Sequence, residues 1–123
     1  MTEFADARKI ATMLAALAEP TRLRIAFHLA RGPHHVSQLA ELLDIPMVNM
    51  SHHLGVMRQS GLLDDEKQGR RVVYYFRDGL LQPADGTNGD IATLTIGHLR
   101  VLLRSSGPDG DDRARPRRGR PKS

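Results

Sequence analysis

Histidines are the side chains of this 123-residue sequence best suited to chemistry at neutral pH, and four of the six occur as two adjacent pairs. His52 and His53 would point about 100° apart on a helix, so they could not chelate one metal ion together. His34 and His35 follow a glycine and a proline, where a metal ion would need two more ligands that the neighbouring sequence does not supply. We therefore predict no metal site at these histidines and no cofactor.

His98 differs from these pairs in its apolar neighbours. It lies four residues after Leu94 and three and four residues before Val101 and Leu102, so on a helix it would share their apolar face. In a two-fold dimer it could then lie near its symmetry mate and titrate near neutral pH. We favour the simpler interpretation, a half-exposed histidine at the rim of that face.

No residue pattern in the sequence is typical of an enzyme. Ser51 and His52 are adjacent, so on a helix they face apart and cannot act as a nucleophile and its base. There is no glycine-rich phosphate loop, and the carboxylates are scattered or grouped at residues 64–66. The absence of cysteine excludes thiolate metal sites, cysteine nucleophiles and disulfides. We predict that the chain is not an enzyme.

The formal net charge of +4 comes from the C-terminal end of the chain. The last thirteen residues carry six basic and two acidic side chains, which leaves residues 1–110 neutral. Residues 116–122 read PRRGRPK, which resembles an AT-hook. In that motif glycine lets the backbone approach the floor of a narrow minor groove, where the arginines meet a strongly negative potential. The resemblance implies DNA contacts by Arg118, Gly119 and Arg120; the alternative is a basic tail that only adds solubility.

Apolar residues recur every three or four positions in four segments, which predicts four helices. The first covers residues 4–18, and the second runs from Pro20 to the break at residues 32–33. The third and fourth cover residues 36–43 and 47–60 and are joined by only three residues. Two short helices with a tight connection are typical of a helix-turn-helix, whose second helix enters the DNA major groove.

The segments after residue 60 predict a wing and one more helix. Strands that begin at Leu62 and Val72, with a turn at residues 67–70 between them, form the β-hairpin wing. Turn-forming residues predict a loop over 82–90, and the apolar spacing of 91–104 predicts a last helix. We expect a mainly α fold with a β-hairpin wing, a winged helix-turn-helix, as one domain over residues 1–104, followed by a disordered basic tail over 105–123.

The sequence contains no run of about 18 apolar residues, and its first residues lack the basic and apolar segments of a signal peptide. We therefore expect a cytoplasmic, nucleoid-associated protein with no membrane partner.

Five short motifs occur in order between Met13 and Phe76. They read LAEPTRLRI from Leu17, VSQLA from Val36, MSHHL from Met50, GLL from Gly61, and GR with VYY from Gly69. This combination resembles the ArsR/SmtB family of bacterial winged-helix repressors. The resemblance implies a homodimer formed through the first and last helices, which binds an inverted-repeat operator and is released by an inducer, often a metal ion.

The sequence departs from the family at both usual metal sites. Many members carry Cys-Val-Cys where this chain has His35-Val36-Ser37. Other members bind zinc or nickel through Asp and His residues on the last helix. Alignment on Ile91 and Leu94 places four residues at those positions, of which three are poor ligands and the arginine would repel a cation: Asn88, Asp90, Val101 and Arg104.

The start of the fourth helix is the candidate surface for DNA. Asn49, Ser51 and His52 can hydrogen-bond base edges or phosphates, whereas Met47 and Val48 can offer only apolar contacts, for instance to thymine methyl groups. Basic residues of the same helix and the wing suit phosphate contacts; they are Arg58, Lys67, Arg70 and Arg71.

These features together predict a sequence-specific, DNA-binding transcriptional repressor that acts as a homodimer on an inverted-repeat operator. The sequence identifies no inducer. Two alternatives stay open: an architectural DNA-binding protein of low specificity in which the tail dominates, and a module whose winged helix binds a protein partner. A metal-responsive repressor that uses unaligned histidines is a variant of the main prediction.

Overall fold

The computed structural model describes residues 3–84 and 89–105 of the chain, and within them four helices form the N-terminal half. They are α1 (Glu3–Leu17), α2 (Pro20–Leu29), α3 (Val36–Leu43) and α4 (Met47–Gln59). The sequence predicted all four helices, with boundaries that differ by no more than about a turn.

The helix boundaries follow from capping side chains. Glu19 lies between α1 and α2, and its carboxylate accepts a hydrogen bond of 2.8 Å from the backbone N–H of Arg22. The His35 side chain caps α3 in the same way, and Asp44 ends that helix in the left-handed conformation at φ 57°. Pro46 directly precedes α4, so three residues join α3 to α4 as predicted.

The wing is a three-stranded antiparallel sheet rather than a simple hairpin. It contains β1 (His34–His35), β2 (Leu63–Gln68) and β3 (Arg71–Phe76) in the order β1-β3-β2. The sequence predicted the β2–β3 hairpin, and this is confirmed. It did not predict β1, whose two residues pair with Val73 and Tyr74 of β3 and tie the start of α3 to the wing.

The predicted last helix over residues 91–104 is wrong, because that segment is a β-hairpin. A second antiparallel sheet contains β4 (Leu81–Pro83), β5 (Asp90–Ile96) and β6 (Leu99–Arg104) in the order β4-β5-β6. The loop predicted for 82–90 is wrong at its ends, which lie in β4 and β5, and its residues 85–88 lie outside the described residues.

Alternation along β5 explains the strand. Ala92, Leu94 and Ile96 are fully buried, whereas the threonines between them lie on the other face and are half-buried. A period of two with β-branched threonine is the pattern of a strand with one face on the core. Gly97 and His98 form a two-residue turn, with Gly97 at φ 62°, and this turn brings Ile96 opposite Leu99.

Helices and sheets bury one common core. Its largest fully buried side chains come from both the helices and the sheets, and they are Ile25, Leu29, Leu39, Met50, Leu54, Met57, Leu62, Leu63, Leu94 and Ile96. Three of them, Met50, Leu54 and Met57, form the inner face of α4. The core therefore fixes which face of α4 points outward.

Of the predicted tail over 105–123, residues 106–123 with the AT-hook-like motif lie outside the described residues, whereas the backbone N–H of Ser105 donates to the carbonyl of Gly89. No helix of the described ranges is long and apolar enough to cross a membrane.

Candidate nucleic-acid interface

The first turns of α4 present side chains to solvent opposite the buried face of the helix. Val48 is 81% exposed and Met47 52% exposed. Asn49, Ser51 and His52 are exposed as well. The structure thus brings the five predicted base-reading residues together on one accessible surface, which we call the α4 face.

His53 lies beneath this face and joins α4 to the junction between α1 and α2. Its Nδ1 lies 3.2 Å from Nη1 of Arg22 and 3.9 Å from Oε1 of Glu19. The Nε of Arg22 donates to the carbonyl of Ala16 at the end of α1. The backbone N–H of Arg22 holds the pKa of Glu19 below its ordinary value, so this carboxylate stays charged beside the guanidinium of Arg22. His53 therefore positions α4 against the junction between α1 and α2.

The wing carries the exposed basic side chains Lys67, Arg70 and Arg71 around its turn, in which Gly69 has φ 64°. Arg58 takes a different position from these three. Its Nε lies 3.9 Å from Oδ2 of Asp65 on β2, so Arg58 forms an ion pair with the wing.

Tyr74 lies on β3 directly opposite Asp65. Burial raises the pKa of Tyr74, and the carboxylate of Asp65 raises it further. The phenol therefore stays neutral beside the Arg58–Asp65 pair, and these three side chains connect α4 to the sheet.

A cleft of about 230 Å³ separates the α4 face from the wing. Its lining includes Met47 and Ser51 from α4, Arg70 and Arg71 from the wing, and His35 from β1. Nη1 of Arg71 lies 3.3 Å from Nε2 of His35. Sequence analysis missed His35 as part of this surface, because the pairing of the two-residue β1 with β3 leaves no readable periodicity.

His98 does not lie on an apolar helix face. It is an exposed residue of the β5–β6 turn, where it borders a second cleft of about 440 Å³ between that turn and α1. Both interpretations of His98, at the rim of an apolar helix face or near its symmetry mate, assumed the last helix, which the structure replaces with a β-hairpin.

The described positions aligned with the family's second metal site lie on strands instead of on a helix. Asp90 and Arg104 are cross-strand partners on β5 and β6, and Oδ1 of Asp90 lies 3.1 Å from Nε of Arg104. Val101 lies on β6, and Asn88 lies outside the described residues. Over the ranges 3–84 and 89–105, no three His, Asp or Glu side chains are grouped so that they could hold a metal ion.

Comparison with known proteins connects this geometry to a family. Residues 17–66 match a family model described as a helix-turn-helix domain. The transcriptional regulator NmtR of Mycobacterium tuberculosis is 40% identical over 72 residues, which cover 58% of this chain and 60% of that protein. The chain spans about 60% of the length of the first curated relatives that it matches.

Solved structures share the fold over a similar range. The homodimeric winged helix-turn-helix DNA-binding domain of Mb0332 from Mycobacterium bovis superposes with a TM-score of 0.58 and 26% identity, over 62% of this chain and 72% of that one. A crystal structure of an ArsR family transcriptional regulator superposes with a TM-score of 0.53 and 31% identity, over 58% of this chain and 73% of that one. With its helix-turn-helix, wing and these relatives, the chain belongs to the ArsR/SmtB family of winged helix-turn-helix proteins.

Proposed function

We propose that this chain is a DNA-binding transcriptional regulator, a repressor of a nearby operon, that binds an inverted-repeat operator as a homodimer. The observation that carries the proposal is the exposed α4 face, which lies beside a wing with basic side chains at its turn. An α-helix fits the major groove, and the neighbouring basic side chains then reach the flanking phosphates. Because its partner in this proposal is chromosomal DNA, we expect the protein in the cytoplasm.

Each residue of the interface has a role in this proposal. Asn49, Ser51 and His52 hydrogen-bond base edges, while Met47 and Val48 pack against thymine methyl groups. Phosphate contacts, which fix the register on the duplex, come from Arg58 and the three basic wing residues Lys67, Arg70 and Arg71. In the tail, Arg118, Gly119 and Arg120 follow the adjacent minor groove.

Two copies of the domain over residues 1–104 associate through α1 in this proposal, and β6 takes the place of the expected last helix. The outer side of α1 carries exposed alanines at positions 7, 11 and 15, over which a second helix can approach closely. Leu99 and Leu102 are 43% and 51% exposed on β6, which is an edge strand of its sheet. The Mb0332 domain is homodimeric, which supports the proposal that this chain forms a dimer.

Light scattering of two variants tests the dimer. Ala11→Arg places a long charged side chain on the exposed side of α1 and is expected to give monomers. The matched control is Glu41→Arg, at an exposed position of α3 away from α1, which is expected to stay dimeric. A dimeric Ala11→Arg protein would exclude α1 from the interface.

DNA binding is tested by fluorescence anisotropy on the DNA upstream of the gene and on a scrambled duplex, at about 150 mM salt. We expect a clear preference for the upstream DNA, both with a chelator and with added zinc or nickel. Loss of the preference on adding metal would assign the regulator to the metal-responsive variant. Equal affinity for both duplexes would instead identify an architectural protein.

A triple substitution tests the α4 face directly. Replacing Asn49, Ser51 and His52 by alanine removes three exposed side chains and leaves the buried face of the helix unchanged. We expect the variant to lose its preference for upstream DNA and to keep its weak affinity for scrambled DNA, since phosphate contacts remain. Repression that survives this substitution in cells would instead indicate a protein partner.

A further inference from the structure

The ring of His35 is surrounded by hydrogen-bond donors. Its Nδ1 lies 3.3 Å from the backbone nitrogen of Gln38 and 2.8 Å from Oγ of Ser37. Its Nε2 lies 3.3 Å from Nη1 of Arg71. Both ring nitrogens therefore have at least one donor within hydrogen-bond distance.

A neutral imidazole has one nitrogen that accepts and one that donates, so it cannot satisfy this arrangement alone. The backbone N–H of Gln38 can only donate, which leaves the lone pair on Nδ1 and the proton on Nε2. The guanidinium of Arg71 also only donates. Two N–H donors thus lie side by side in the lining of the cleft, and an oxygen acceptor between them would receive both.

The His35 ring and the backbone of Arg71 are held in place before any ligand arrives. His35 is fixed by its cap on α3, by its own N–H donating to Oε1 of Gln38 at 2.9 Å, and by pairing with Val73. Arg71 begins β3 and pairs with Gln68 across the wing hairpin. Because binding removes little further side-chain freedom from His35, the arrangement favours affinity.

We infer that His35 and Arg71 together bind one non-bridging phosphate oxygen of the DNA backbone, between the wing and the α4 face. Met47 and Ser51 of the α4 face line the same cleft, so a duplex held by that face brings its backbone to this point. The inference rests on the proposed function only in requiring duplex DNA on this side of the fold. The contact reads no sequence, because phosphates are the same in every duplex.

His35→Asn is the diagnostic variant. Asparagine is a good N-cap, so it preserves the hydrogen bond from Gln38, but its shorter side chain lacks the N–H that faces Arg71. On a random duplex at low salt, we expect roughly three- to tenfold weaker binding, the usual effect of removing one hydrogen bond. The same factor is expected on upstream DNA, because the contact is independent of sequence. Unchanged affinity in a folded His35→Asn protein would overturn the inference.

A double-mutant cycle tests whether the two side chains share one phosphate. The effects of His35→Asn and Arg71→Gln should be less than additive, because either change removes the same interaction. Lys67→Gln is the matched control, since it removes a wing charge outside the cleft and should add fully to His35→Asn. Full additivity of His35→Asn with Arg71→Gln would show that the two residues contact separate phosphates, and would overturn the inference that they share one.

Duplexes with single methylphosphonate substitutions give a readout that does not depend on the folding of the His35 variant. Wild-type binding should weaken at one backbone position for which the Arg71→Gln protein shows no sensitivity. NMR of the His35 ring with inorganic phosphate distinguishes binding of a free anion from binding of a DNA phosphate. A change in the His35 signals with phosphate, without any methylphosphonate effect, would contradict DNA binding at this pair. If upstream and random duplexes bind equally and the position-specific effect persists, the repressor proposal fails and the phosphate site stands.

Discussion

Gly97 determines the geometry of the β5–β6 turn. It has φ 62°, and a Cβ added there would lie 2.7 Å from Cγ1 of Ile10 on α1. Gly97→Ala therefore imposes both a strained backbone and an overlap, and we expect a decrease of about 2–3 kcal/mol in the free energy of unfolding, measured with urea.

Gly69 offers a matched control for this substitution. It has φ 64° in the wing turn, and a Cβ there would meet no atom within 4 Å. Gly69→Ala then carries only the backbone cost, about 1 kcal/mol. Equal decreases in the free energy of unfolding at the two positions would show that the β5–β6 turn is not tightly packed against Ile10 of α1.

His28 gives the fold a dependence on pH. Burial lowers its pKa, and the nearby His34, with ring centres 6.1 Å apart, lowers it further, as do Arg31 and Arg24. The unfolded chain therefore takes up this proton first as the pH falls, so stability is full above about 6.5 and is lost as the pH falls through the folded pKa. Urea unfolding between pH 7.5 and 5 should show this decline, and His28→Gln should reduce its slope. An identical slope in both proteins would show that His28 does not contribute to the pH dependence of stability.

At the scale of elements, the burial of Ala92 distinguishes the observed β-hairpin from the helix that the apolar spacing predicts. On a helix Ala92 would lie off the apolar face shared by Leu94 and Val101, whereas on β5 it is fully buried. Ala92→Glu should therefore destabilise the protein by about 3–5 kcal/mol, because it buries a carboxylate without a partner. Thr93→Glu, on the opposite face of the strand, should be tolerated. The reverse order in thermal melting would support the helix.

The same segment shows what the sequence allows one to predict. The helices and the β2–β3 hairpin carry long periodic patterns and capping residues, so they were predictable one element at a time. Residues 91–104 fit both a helical spacing through Leu94 and Val101 and a period of two through Ala92, Leu94 and Ile96. Pairing with β4 decides between the two, because Leu81 pairs with Leu94 on β5. The backbone N–H of Thr95 also donates a hydrogen bond of 2.8 Å to the carbonyl of Leu80, just before β4. Such an interaction between distant residues is not encoded in local spacing.

The candidate interface shows the same division between local and distant information. The exposed residues of the α4 face follow from the helical period, because Met50, Leu54 and Met57 fix its buried side. His35 joins the interface only through the β1–β3 pairing, which links positions nearly forty residues apart. The redirection of Arg58 toward Asp65 depends in the same way on how α4 packs on β2.

At the scale of the whole molecule, the charge is unevenly distributed between a neutral domain and a basic tail. Residues 1–110 are neutral, so under the proposed function the domain depends on the geometry of the α4 face and a few placed cations to recognise DNA. The net charge of +4 lies in the last thirteen residues, and under the proposed function these residues add attraction to any duplex. Removal of residues 111–123 should therefore weaken binding to upstream and random DNA alike. It should also reduce the slope of log affinity against log salt by about 0.9 for each phosphate that the tail had neutralised.

Replacing Arg118 and Arg120 by lysine separates an AT-hook from a merely basic tail. The substitution keeps the charge and so leaves the salt dependence nearly unchanged, but lysine is a strongly hydrated point charge that fits a narrow minor groove less well than arginine. With A·T tracts flanking the operator, the lysine variant should bind severalfold more weakly than wild type, whereas with G·C flanks the two should bind equally. Anisotropy on the two duplexes measures both effects. If the lysine variant matches the wild type on A·T flanks, the tail acts through its charge alone.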